Sequence, residues 1–188
     1  MNMKKILFSA LTIVLAACSL FAQLSPAHIF SLKAGATYFY PSEQSLKSIY
    51  GNGPGWGGEI NLKIWRFIDL WMIGNFFDKK GNLPYTKEPT EISLITFGGG
   101  VKFRLTTDPL SIYLGGGPAL CSYKESNPIG VARGNGPGFI GQLGLYFRIV
   151  GGLIIDIAAD YTSFKVKPKT IKADLGGAKA GIRIGYVF

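Results

Sequence analysis

Residue types that do chemistry are few and scattered in this chain. His28 is the single histidine among 188 residues, and Cys18 and Cys121 are the two cysteines. Nucleophilic catalysis needs a histidine within reach of a hydroxyl or thiol and an acid, and a structural zinc site needs several clustered His or Cys ligands. His28 has no evident serine or acidic partner beside it, so it is expected to be a solvated or interfacial residue. Neither a metal nor a cofactor is expected. Cys121 is expected to fill a small interior position. Glu59 lies among Lys33, Lys63 and Lys102 and has the makings of an acid or base, but an ion-paired carboxylate is the commoner outcome in such company. The remaining feature is a comb of lysines, Lys165, Lys167, Lys169 and Lys172, with no acid in the run Phe164 to Lys172. Such a comb suits the phosphates of lipopolysaccharide or another polyanion. Its simpler role is to keep a loop tip soluble.

The elements that must position these groups follow from composition and alternation. The chain holds 26 glycines and 13% aromatic residues, and only 16% of its residues are charged, with positive mean hydropathy. Disordered chains are poorer in aromatics, disulfide-stapled miniproteins are richer in cysteine, and helical membrane proteins carry long uncharged runs. An all-β, membrane-facing chain remains. Met1 to Lys5 is basic and Ile6 to Ala17 is apolar, which is the pattern of an export signal. Cleavage after Ala22 gives a leader of residues 1–22 and a mature chain of 23–188. The run Leu15-Ala16-Ala17-Cys18 offers the alternative of a lipobox, with residues 1–17 removed and Cys18 lipidated. Loss of Lys4 and Lys5 lowers the formal charge by two, from +9 to +7.

From Ile29 onward, apolar residues alternate with small or polar ones in eight stretches bounded by Gly, Pro, Asn, Asp or Lys. They run near 29–40, 55–65, 68–77, 92–105, 110–123, 138–149, 152–163 and 173–188. About nine to eleven tilted residues cross a bilayer as a strand. The connections 41–54, 78–91, 124–137 and 164–172 are long, and those at 66–67, 106–109 and 150–151 are short. Long loops on one side, with short turns and both termini on the other, predict an eight-stranded antiparallel up-and-down transmembrane β-barrel.

In the more apolar register no outward position carries a charge, as expected where a midplane Arg or Lys costs about 2–4 kcal/mol. Aromatic residues cluster by height. Tyr38, Tyr40, Trp56, Phe76, Phe139 and Tyr161 fall at the long-loop ends, and Phe30, Phe67, Phe103, Phe147, Tyr186 and Phe188 at the short-turn ends, giving two interfacial girdles. The inward set includes Lys33, Glu59, Lys63, Asp69, Lys102, Arg104, Arg148, Asp156, Asp160, Lys179 and Arg183. Eight strands leave room for little more than side chains, so these are expected to form ion-paired lumen layers. Pro118 cannot donate to a ladder, and a bulge is expected near it.

The strand-five phrase Tyr113-Leu114-Gly115-Gly116-Gly117-Pro118 and the closing Gly181 to Phe188 resemble the small outer-membrane barrels typified by OmpX and the membrane domain of OmpA. The resemblance spans the whole mature chain. It implies outer-membrane residence and contact with outer-membrane lipid and lipopolysaccharide. Tyr186 and Phe188 are similar to the terminal signal read by the barrel-assembly machinery, although Arg183 stands where the pattern favours glycine. OmpA adds a wall-binding domain after its barrel, which this chain is not expected to inherit.

Two further readings concern repeats and partners. Gly51 to Trp56 and Gly134 to Phe139 are nearly the same hexapeptide, either from a duplicated four-strand unit or from shared turn chemistry at strand entry. No Lys-Ser/Thr follows these glycines, so nucleotide binding is not expected. Nucleic acid is not an expected partner either, since the basic residues have no stacking platform among them. The expected function is non-enzymatic, structural or surface-interacting through four outer loops. The alternatives are a narrow anion-preferring pore or small-solute conduit and, behind them, an outer-leaflet lipid hydrolase.

Overall fold

A computed structural model describes residues 29–84, 87–166 and 173–188. The leader with its alternative cleavage sites, His28, and Lys167, Lys169 and Lys172 of the comb lie outside the described residues.

Eight long strands form one closed antiparallel ring. They are β1 (Phe30–Pro41), β2 (Gly53–Trp65), β3 (Ile68–Asn82), β4 (Pro89–Thr107), β5 (Leu110–Asn127), β6 (Gly130–Arg148), β7 (Leu153–Val166) and β9 (Gly177–Val187), with a two-residue β8 (Ala173–Asp174) on the outer end of β7. Each pairs with its neighbours in sequence, β6 joins β7, and β9 closes on β1. The closure ends with reciprocal backbone bonds at the short-turn side, Ile29 N–H to Phe188 O at 3.1 Å and Phe188 N–H to Phe30 O at 2.8 Å. A closed ring leaves no unpaired edge, which is the condition for crossing hydrocarbon with strands.

Burial alternates along the strands in the register that places apolar side chains outward. Met72, Phe97, Leu114, Leu120, Ile182 and Ile184 are all more than half exposed. An uncharged belt of large exposed side chains around a whole ring is the surface of a protein immersed in lipid.

Two of the expected long loops are largely strand. β3 and β4 remain paired as far as Asn82 and Pro89, and β5 and β6 as far as Asn127 and Gly130. Polar residues such as Lys124 and Arg133 face each other there, and the hairpin continues because its ladder bonds need no apolar face. The loop after β1 holds an unexpected helix, α1 (Gln44–Tyr50), which buries Leu46 and Tyr50.

The expected bulge at Pro118 is absent. The register of β4 on β5 is the same before and after Pro118, and the ladder simply lacks pairs at Gly99, Gly100, Gly117 and Pro118. The missing proline N–H is thus accommodated by a gap without a slip, while pairing of Pro118 with Phe139 on β6 continues. The one register shift in the β2–β3 pairing lies between Lys63 and Trp65. The repeated hexapeptides sit in different settings: Gly51 ends α1 with φ +67°, whereas Gly134 lies inside β6, where a Cβ would fall 2.7 Å from Tyr123 Cε1. Close approach, and not a turn, accounts for the second glycine.

Candidate functional site

The lumen is the place where residues distant in sequence converge, and it has two chemically different parts. Toward the short-turn side lies an ionic layer centred on Glu59 of β2. Its Oε1 accepts Lys33 Nζ of β1 at 2.8 Å and Lys102 Nζ of β4 at 2.6 Å. Its Oε2 accepts Arg183 Nη1 of β9 at 2.9 Å and Gln142 Nε2 of β6 at 2.7 Å. Lys33 reaches on to Asp156 Oδ2 of β7 at 2.7 Å, and Tyr113 of β5 donates its hydroxyl to Asp156 Oδ1 at 2.8 Å. Arg183 completes the layer through Nη2 to Asp160. Side chains from every long strand except β3 meet here, and β3 contributes the Trp71 ring, 5.1 Å from Lys102 Nζ.

Local sequence explains the convergence. Period-two alternation aims these residues inward, and small residues opposite make the space. A Cβ at Gly144 would lie 2.5 Å from the Tyr113 hydroxyl, and one at Gly185 would lie 2.7 Å from Lys33 Cγ. Glu59 and Asp156 have no solvent exposure. Removing ions from water is costly, so this layer holds only because Glu59 and Asp156 are each met by several donors, while Asp160 is met by Arg183 alone among the described residues.

The other inward candidates divide. Asp69 pairs with Arg104 Nη2 at 3.0 Å, and Arg104 donates to the Tyr146 hydroxyl at 2.7 Å, forming a second, smaller cluster. Lys63 is exposed and, among the described residues, in no ion pair. It stands next to the β2–β3 register shift, and the neighbouring Asp69 is taken by Arg104. Arg148 is at the rim, 4.0 Å from Asp108, whose side chain is 75% exposed. Lys179 is buried but has no carboxylate within ion-pair distance among the described residues, and its Nζ sits 5.4 Å from the Phe39 ring.

Toward the long-loop side the interior is mainly apolar, with Thr37, Asn75, Thr96 and Lys179 buried among the apolar side chains. Phe39, Trp71, Ile73, Phe77, Leu94, Ala119, Cys121, Ile140 and Phe164 form one buried cluster, and Leu46 and Tyr50 of α1 close it from above. The inward polar set singled out in the sequence touches this half at Lys179, beside Phe39, and otherwise omits it. The signal was present, since Trp71-Ile73 and Phe77 occupy inward positions of β3, and Leu46, Ile49 and Tyr50 have helical spacing. Tyr50 is anchored by its hydroxyl, 2.9 Å from Thr90 Oγ1 and donating to Glu125 Oε1 at 2.8 Å. Burial above all, with the Glu125 carboxylate adding to it, raises the Tyr50 pKa above its ordinary value.

The aromatic candidates lie in two bands. At the long-loop ends Trp56 stacks on Phe76 at 4.7 Å, and Tyr38 and Tyr40 are 5.0 Å apart. Phe139 and Tyr161 are exposed in the same band. At the other end Phe30 and Phe188 are 5.8 Å apart, Tyr186 and Phe188 are 4.9 Å apart, and Phe67, Phe103 and Phe147 are exposed. Lys165, the described member of the lysine comb, is exposed. Among the described residues no group of His, Cys, Asp and Glu is arranged to hold a metal ion.

Solved structures of the same architecture match over most of the chain. OprG of Pseudomonas aeruginosa is similar with a TM-score of 0.65 and 13% identity, covering 85% of this chain and 95% of that one. Neisserial surface protein A matches with a TM-score of 0.61 and 15% identity over 85% and 97% of the two chains. Ail, the attachment invasion locus protein of Yersinia pestis, matches with a TM-score of 0.55 and 16% identity over the same shares. The fold is that of a small outer-membrane β-barrel. No protein-family model matches the chain, and no curated protein matches it by sequence.

Proposed function

We propose that this protein is a non-enzymatic integral outer-membrane barrel that works at its outer face, as a structural or surface-interaction element, with its lumen closed to solutes. The observation that carries the reading is the Glu59 layer. Its three cations, its carboxylates and the Trp71 ring fill the cross-section, and the apolar cluster under α1 fills the half above. The buried carboxylates face cations and not a nucleophile, which favours a bracing role over acid–base chemistry.

The reading includes contact with lipopolysaccharide, for which the lysine comb is the proposed element, and assembly through Tyr186 and Phe188. One solved relative in fold, Ail, has been seen in complex with the heparin analogue sucrose octasulfate, which is consistent with polyanion contact at an outer face. Single-channel recording of the refolded barrel in a planar bilayer tests the closed lumen. The expected result is silence, and discrete anion-selective openings would overturn the reading and make Lys102 and Arg183 pore-lining residues.

A second reading, a conduit for small apolar solutes, is favoured by one feature. Beside the unpaired stretch of Gly99, Gly100, Gly117 and Pro118, where the two backbones stay in close contact, lies an apolar groove of about 870 Å³ bordered by Met72, Phe97 and Leu120. Faster uptake of an apolar dye into vesicles holding the barrel, abolished by a disulfide between cysteines placed at Gly99 and Pro118, would favour it over the closed barrel.

A further inference from the structure

At the outer mouth, α1 does not lie flush on the barrel. Between it and the outer ends of β4, β5 and β6 is a cavity of about 160 Å³, open to the long-loop side. Its walls are aliphatic and aromatic, with Leu46 and Tyr50 of α1 facing Ile92 and Tyr123. Two carboxylates border it, Glu43 at the start of α1 and Glu125 on β5, and among the described residues no lysine or arginine lines it. Glu125 uses Oε1 to accept the Tyr50 hydroxyl, and Glu43 accepts only the Ser45 hydroxyl, at 3.4 Å. Among the described residues neither carboxylate is in an ion pair.

We infer that this cavity is a binding site for a small organic ammonium compound with a short apolar body. Size, lining and charge agree. Cavities of about 150 Å³ accept a benzene-sized group. Tyrosine faces attract a cation held within about 6 Å, and Glu43 and Glu125 supply the countercharge, which an anion would meet as repulsion. The setting contrasts with the lumen below, where every carboxylate of the central layer already has its cation. The inference rests on the outer-face reading of the protein and names one chemical class that the face recognises.

The probe is benzylammonium, titrated into the mature barrel in lipid nanodiscs and followed by the methyl NMR shifts of Leu46, Ile49 and Ile92. Saturable shifts are expected for benzylammonium and none for benzoate. Glu125→Gln should weaken binding at least ten-fold. Arg148→Ala, at the opposite rim of the barrel, should stay within about three-fold of the parent. Absence of saturable shifts, equal affinity for benzyl alcohol, or an unchanged affinity in Glu125→Gln would each overturn the site. These shifts do not depend on whether the lumen conducts, so failure of the site and failure of the closed-barrel reading are distinguishable.

Discussion

The lower and upper halves of the lumen solve the same packing problem with opposite chemistry. Below, Lys33, Glu59, Lys102, Asp156 and Arg183 are sealed from water and hold one another through short ion pairs. Above, Phe39, Ile73, Phe77, Leu94 and Ile140 pack as in a soluble core, and α1 covers them. A sealed ionic layer is brittle because each ion needs all of its partners, whereas an apolar cluster loses only the area of the atoms removed. The lower layer therefore fixes which strands stand opposite one another, and the upper cluster adds burial that tolerates substitution.

The largest expected effect comes from breaking the lower half. Glu59→Ala strands Lys33, Lys102 and Arg183 around an empty centre and should cost about 3–5 kcal/mol, the range for removing one partner of a buried pair. Urea unfolding in lipid vesicles, followed by the heat-dependent gel shift, would measure it. Replacing charge and countercharge together, Glu59→Leu with Lys102→Met, should recover part of that loss, because the remaining cations keep Asp156 and Asp160. In the upper half Ile140→Val removes one methyl group from a residue with no solvent exposure. The expected cost is about 0.5–1.5 kcal/mol, insensitive to salt.

Legibility followed chemistry in the same way. Period-two alternation, the aromatic heights and the charged inward residues were enough to read eight strands and to aim charges at the lumen, because in lipid a misplaced charge is costly and the pattern is enforced, but alternation did not tell that Lys63, Arg148 and Lys179 stand outside the ion-paired layer. The upper half was hidden because Trp71, Ile73 and Phe77 are as apolar as the outward residues beside them, so alternation in β3 fades. α1 is short, and its Leu46, Ile49 and Tyr50 read as a helix only once there is a surface for them to cover. The extension of β5 and β6 to Asn127 and Gly130 was concealed by glycine and polar residues that are equally at home in loops. Pro118 marked a real irregularity, but composition does not distinguish a bulge from a gap in pairing.

Two smaller effects sharpen the contrast at the ends of the lumen. The raised pKa of Tyr50 means that the folded state holds this proton more tightly than the unfolded chain does. Its contribution is fully present below the ordinary tyrosine value of about 10 and is lost as pH rises from there toward the raised value. The methyl NMR shifts of Leu46 and Ile49 should move toward unpacked values above about pH 10, and Tyr50→Phe should remove that pH dependence. Arg148→Ala should change stability by no more than about 0.5 kcal/mol, since its partner Asp108 is largely exposed and the pair is 4.0 Å apart. A much larger loss would extend the ionic brace to the rim.

The most direct test of the brace is a double-mutant cycle between Glu59 and Lys102, with unfolding free energies measured for Glu59→Gln, Lys102→Met and both together in the same vesicles. A coupling of about 1.5 kcal/mol or more is predicted, given the 2.6 Å contact and its complete burial. Additivity within about 0.5 kcal/mol would contradict the account and leave the lower half as packing alone.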